Sequence, residues 1–154
     1  CRGYSVSIRE YIFQSTIMKF VFPVLFFLLA ANNVRAQAVH HRILFDFVSS
    51  DTADQSAIIR QFNNVLNASP DAELELVCHG PAVFAFVKDK MNFEDRFRAL
   101  TQKGKVYYRV CANSMKRLGI VKEQLSPLVE VVPVAILEMS DKQQQGWAYI
   151  KSGH

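Results

Sequence analysis

Three short clusters in this 154-residue chain hold side chains able to do chemistry: Ser49-Ser50-Asp51, Cys78-His79-Gly80-Pro81 and Cys111-Ala112-Asn113-Ser114. Each follows an apolar run, so each is expected where a strand ends. Cys111 has the most defined chemistry. It precedes Asn113 and Ser114, either of which can cap a helix, and a short basic segment that closes on Gly119. A thiol just ahead of a helix start lies among backbone N–H groups without helical partners and at the positive end of the helix dipole. Both favour the thiolate. Arg109, Lys116 and Arg117 add positive charge close by in sequence. The other reading of Cys111 is a buried cysteine packing as a small apolar side chain.

The remaining candidates support that thiol. Asn113 and Ser114 would present N–H groups to it, and Ser49, Ser50 and His79 could line its pocket. His79 could polarise a thiol or bind a ligand, and its position also suits a solvated or capping histidine. Other chemistries lack their residues. No Cys/His cluster has zinc spacing, and the adjacent His40 and His41 do not make an ordered metal site. There is no G-x-G-x-x-G, no phosphate-binding loop and no G-x-S-x-G elbow. Asp51 and Asp54 would repel a phosphate after the first strand, which disfavours flavin or dinucleotide. No metal or organic cofactor is expected.

The elements that must position these residues alternate along the chain. Strands are expected at 43–48, 73–78, 106–110, 129–134 and 147–151. Between the first two, Ala57, Ile58, Phe62, Val65 and Leu66 recur at helical spacing behind a cap at Asp51 or Thr52. Pro81 suits a first helical position. Phe93, Phe97 and Leu100 mark a further helix that stops at Gly104. Residues 114–119 and 135–145 mark two more, with a helix or turn through 121–128. Strand alternating with helix predicts a three-layer α/β domain: five strands, mostly parallel, helices on both faces, in the default order 2-1-3-4-5. That order puts a crevice between the first and third strands. It also sets Cys78 and Cys111 two strand spacings apart, near 10 Å, beyond the roughly 7 Å span of a disulfide. The pair is therefore expected to be unbridged.

Residues 18–36, "MKFVFPVLFFLLAANNVRA", carry the marks of a signal peptide: Lys19, an apolar stretch from Phe20 to Ala31, and Val34-Arg35-Ala36 as cleavage site. Twelve helical residues rise about 18 Å, short of the roughly 30 Å of a bilayer core, so no membrane anchor is expected after cleavage. Residues 1–17 are expected to be an upstream translated extension, and 37–154 a single domain. Export follows, to the periplasm in a Gram-negative source. Residues 1–36 hold four of the 18 basic residues and one of the 14 acidic ones, which leaves the domain at a net charge of +1. Nucleic-acid binding needs a concentrated basic face and is not expected.

From Arg42 to Lys151 the chain resembles the DsrE/DsrF-like family of sulfur-relay proteins. The resemblance is carried by "HGP" after the second strand, "CANSM" after the third, "VEVVP" at the fourth and the closing "GWAYIK". It implies a five-stranded α/β fold that assembles into homotrimers or homohexamers. It also implies a persulfide-carrying cysteine at Cys111, which exchanges sulfur with donor and acceptor proteins or small polysulfides. No role passes to Cys78. The function expected is a persulfide carrier, a possible sulfurtransferase. The alternatives are a non-catalytic oligomeric binding or assembly domain and a redox-sensing thiol protein.

Overall fold

A computed structural model of the chain describes residues 39–153. The expected extension and signal peptide lie outside the described residues. The strands are β1 (Arg42–Phe47), β2 (Glu73–Cys78), β3 (Lys105–Cys111), β4 (Val129–Val132) and β5 (Ala148–Ser152). The helices are α1 (Thr52–Ala68), α2 (Glu94–Lys103), α3 (Ala112–Leu118) and α4 (Ala135–Gln144). Short 3-10 turns at Gly80–Phe86, Lys88–Lys90 and Lys122–Gln124 fill the connections.

Local chemistry sets these boundaries. The Asp51 side chain accepts from the Ala53 N–H at 2.7 Å and starts α1, whose Ile58, Ile59, Phe62 and Leu66 are buried along one stripe. Helix α3 ends at Gly119, where φ is +68°, a conformation that glycine adopts without the cost of a Cβ.

All five strands are parallel, in the order β4-β3-β2-β1-β5. The α/β class and the helices on both faces are as expected, but the order differs from 2-1-3-4-5. β2 stands between β1 and β3, and β5 forms the edge beside β1. The first three crossovers all step in one direction. With right-handed crossovers their helices lie on one face, and the return from β4 to β5 carries α4 over the other. The cores match this division. Residues of α1, α2 and α3, with Phe45, Leu76, Phe86 and Tyr108, make the larger core. Leu44, Val77, Cys111, Ala135, Met139 and Trp147 make the smaller one beneath α4.

β2, paired with β1 on one side and β3 on the other, carries one buried charge. "ELELVC" alternates like a half-solvated strand, yet Glu75 is fully buried. Its Oε2 lies 2.7 Å from Lys142 Nζ on α4 and 3.4 Å from Arg109 Nε on β3. A carboxylate taken from water needs such partners. Burial raises the Glu75 pKa, and Lys142 and then Arg109 oppose the rise. In the larger core, the rings of Phe86, Phe97 and Tyr108 meet at centroid distances of 4.8 to 5.4 Å, and Tyr108 Oη donates to the Phe97 carbonyl at 2.8 Å. Among the described residues, no helix is long and apolar enough to cross a membrane.

Removing Lys142 leaves Glu75 buried with Arg109 as its remaining cationic partner. Lys142→Met is expected to destabilise the domain by roughly 3 kcal/mol at neutral pH. A carboxyl whose folded pKa lies above its unfolded value destabilises the fold increasingly as pH rises between the two. The deficit should therefore shrink on acidification toward the unfolded value, as urea titrations over a pH series would show.

Candidate functional site

The end of β3 and the end of β4 are neighbours, and their following helices leave on opposite faces of the sheet. This makes the carboxyl edge between β3 and β4 the topological switch point, in place of the expected β1/β3 crevice. Cys111 sits there. It is the last residue of β3 and the residue before α3, with extended backbone (φ −75°, ψ 119°). The N–H of Ala135, first residue of α4, donates to Cys111 Sγ at 3.4 Å. The sulfur thus lies against the starts of two helices, on a side chain only 5% exposed.

Two effects compete at this thiol. Burial pushes its pKa up. The Ala135 N–H, the Ser114 N–H and hydroxyl, and the Asn113 N–H together outweigh burial and hold it below the ordinary thiol value. Asn113 and Ser114 were expected to cap α3, but Cys111 occupies that position. Ser114 instead uses its oxygen to accept from the Gly80 N–H at 2.8 Å. That bond ties the turn after β2 to the first turn of α3. It involves a buried serine and a glycine at φ +54°, where a Cβ would stand 3.2 Å from Val48 Cγ2.

The other sequence candidates are not all brought together. His79 follows β2 and its Nε2 lies 2.7 Å from Asp46 Oδ1. Asn113 is exposed, in the first turn of α3. Ser49 Oγ accepts from the Asp51 N–H at 3.1 Å, and the Ser50 carbonyl accepts from the Gln55 side chain at 3.1 Å. Both serines shape the start of α1 beyond β1, which β2 separates from β3, so they stand apart from Cys111. Among the described residues, no group of His, Cys, Asp and Glu is placed to hold a metal.

Cys78 and Cys111 are both free, although the expected reason does not apply. Their strands are adjacent, with Cys78 opposite Val110. Because side chains alternate along a strand, Cys78 points into the larger core and Cys111 into the smaller one. Cys78 is fully buried, and its thiol pKa is pushed far up, first by burial and then by the charge of Asp46. Asp46 itself drew no attention in the sequence. Its carboxylate also accepts from Tyr149 Oη at 2.6 Å, which helps push the tyrosine up to about 12. The one available signal was an acid inside the apolar run "ILFDFV".

A parallel α/β sheet with a free cysteine in the N-cap position at its switch point defines the class: a small α/β domain that carries a buried thiol. Within it, the chain belongs to the DsrE/DsrF-like family, whose model matches residues 42–152. Two solved structures share the fold. One is a protein of unknown function from Methanobacterium thermoautotrophicum, 22% identical, with a TM-score of 0.68 over 72% of this chain and 98% of that one. The other is a conserved protein of unknown function from Bacteroides thetaiotaomicron, 10% identical, with a TM-score of 0.60 over 76% of this chain and 99% of that one. A comparison with curated proteins finds no match.

Alkylation followed against pH should give Cys111 a midpoint below the free-thiol value of about 8.5. Ser114→Ala removes one stabilising hydroxyl and should move that midpoint up. It also leaves the Gly80 N–H without its acceptor, at a cost of about 1–3 kcal/mol in stability.

Proposed function

We propose that this protein carries sulfane sulfur as a persulfide on Cys111 and passes it to an acceptor thiol. The observation that carries the reading is the Ala135 N–H donating to Cys111 Sγ where two helices begin. Such a site holds the thiol pKa below its ordinary value, and thiolate is the nucleophilic form. The Cys111 thiolate attacks the outer sulfur of a donor persulfide, R–S–SH. A Cys111–S–SH bond forms, the donor S–S bond breaks, and R–S⁻ leaves. An acceptor thiolate then attacks the outer sulfur of Cys111–S–SH and releases the Cys111 thiolate. One neutral sulfur atom moves and no external oxidant or reductant is consumed. Membership of the DsrE/DsrF-like family supports this reading. Donor and acceptor proteins, or small polysulfides, are its partners.

One observation favours a second reading. Cys111 is 5% exposed and packs with Leu44, Val77, Met139 and Trp147, as a purely structural cysteine would. In that case the domain binds or assembles without chemistry at the thiol.

Mass spectrometry of the protein after treatment with polysulfide separates the two. The carrier reading expects a gain of one sulfur atom that dithiothreitol removes and that Cys111→Ser abolishes. A gain that survives Cys111→Ser would place the sulfur elsewhere. No gain, with Cys111 inert to alkylation, would support the structural reading.

A further inference from the structure

Sulfur transfer also moves protons, and a second group of polar side chains lies on the same carboxyl edge of the sheet as Cys111. β1, β2 and β3 run parallel and in register, with Cys78 opposite Val110. The ladder ends there, and its register carried one residue further sets His79, still in extended backbone, level with Cys111 at the end of β3. Alternation from Leu44 and Val77, both in the core beneath α4, puts Asp46 and His79 on the same side of the sheet as Cys111. Acid, imidazole and thiol therefore cross the carboxyl edge of three adjacent strands. The imidazole is only part-buried.

Its orientation is fixed from two sides. The His79 backbone N–H donates to the Phe47 carbonyl at 3.1 Å, and the following Gly80 N–H donates to Ser114 Oγ at 2.8 Å. Asp46 Oδ2 takes the Tyr149 hydroxyl hydrogen at 2.6 Å, and Oδ1 lies 2.7 Å from His79 Nε2. An ionised carboxylate only accepts hydrogen bonds, so Nε2 carries a hydrogen and Nδ1 keeps the exchangeable lone pair. Two cations stand on neighbouring elements, Arg117 on α3 and Lys151 on β5. An Arg117 guanidinium nitrogen lies 3.7 Å from where a Gly80 Cβ would stand, and Lys151 is opposite Asp46 in the register.

We propose that His79 is the proton carrier of sulfur transfer at Cys111, with Asp46 and Tyr149 as its positioning residues. The proposal rests on the persulfide reading above. In the loading step, protonated His79 gives its proton to the leaving R–S⁻, so that R–S–SH, Cys111–S⁻ and HisH⁺ become Cys111–S–SH, R–SH and neutral His. In the unloading step, neutral His79 takes the proton from an acceptor R′–SH. The resulting R′–S⁻ accepts the sulfur, which returns Cys111–S⁻ and HisH⁺. The net exchange converts R–S–SH and R′–SH into R–SH and R′–S–SH, with protons and electrons balanced.

The test uses full-length protein loaded with polysulfide, and two acceptors. One is an aliphatic thiol, protonated at neutral pH; the other is an aromatic thiol, already ionised there. His79→Gln should slow transfer to the aliphatic thiol by about 100-fold and leave transfer to the aromatic one near the wild-type rate. Tyr149→Phe alters a side chain on an exposed edge strand, so it should fold and show a smaller loss in the aliphatic arm alone. It decides the matter if His79→Gln does not fold. Equal slowing with both acceptors, or none with either, overturns the assignment while leaving the persulfide intact. A wild-type protein that takes up no sulfur overturns the underlying reading instead, and the proton-carrier role falls with it.

Discussion

One buried charge holds the second face of this sheet together. Glu75 is fully buried in the central strand, and its Oε2 receives Lys142 from α4 and Arg109 from β3. Its Oε1 has no hydrogen-bond partner. Among the described helices, only α4 covers this face. A slide along the helix axis would move Lys142 from a carboxylate that has no water to replace it, a penalty of several kcal/mol. Ala135 lies seven residues before Lys142, a rise of about 10 Å. The charge pair in the middle of the sheet therefore also places the Ala135 N–H over the Cys111 sulfur at its edge.

The same edge shows why burial does not make this thiol inert. Cys78 and Cys111 end neighbouring strands and are both nearly or wholly buried, yet their pKa values move in opposite directions. Cys78 faces the larger core, where the interactions that shift it, desolvation and the charge of Asp46, both favour the protonated form. Cys111 faces two helix starts, where N–H groups replace the water that burial removed. Alternation along adjacent strands decides which of the two meets donors.

Much of this was legible in the sequence, for reasons that also explain the exceptions. The five strands and four main helices follow from local signals: Asp51 as a cap, Gly104 and Gly119 as stops, apolar residues at fixed periods. The α/β class then follows from alternation. Strand order is a long-range property, and "ELELVC" disguised the central strand because Glu75 finds its partners on a helix and a strand distant in sequence. Ser49 and Ser50 were associated with Cys111 through the expected order and serve α1 instead. Cys111 was visible because its signal is local. Asp46 and Tyr149 meet across 103 residues, and no local pattern could have joined them.

Near-burial of Cys111 bears on function as well as on ionisation. A persulfide adds a sulfur about 2.05 Å beyond Sγ. On the persulfide reading, the loaded protein then carries at the switch point an atom that the empty protein lacks. Attack by an acceptor is directed at that outer atom, whereas loading requires the donor to reach Sγ itself. Ile136 and Leu137, 70% and 60% exposed, follow Ala135 on the first turn of α4. On that reading the two half-reactions place different demands on one edge: loading needs the donor to reach Sγ itself, and unloading needs the acceptor to reach only the sulfur beyond it.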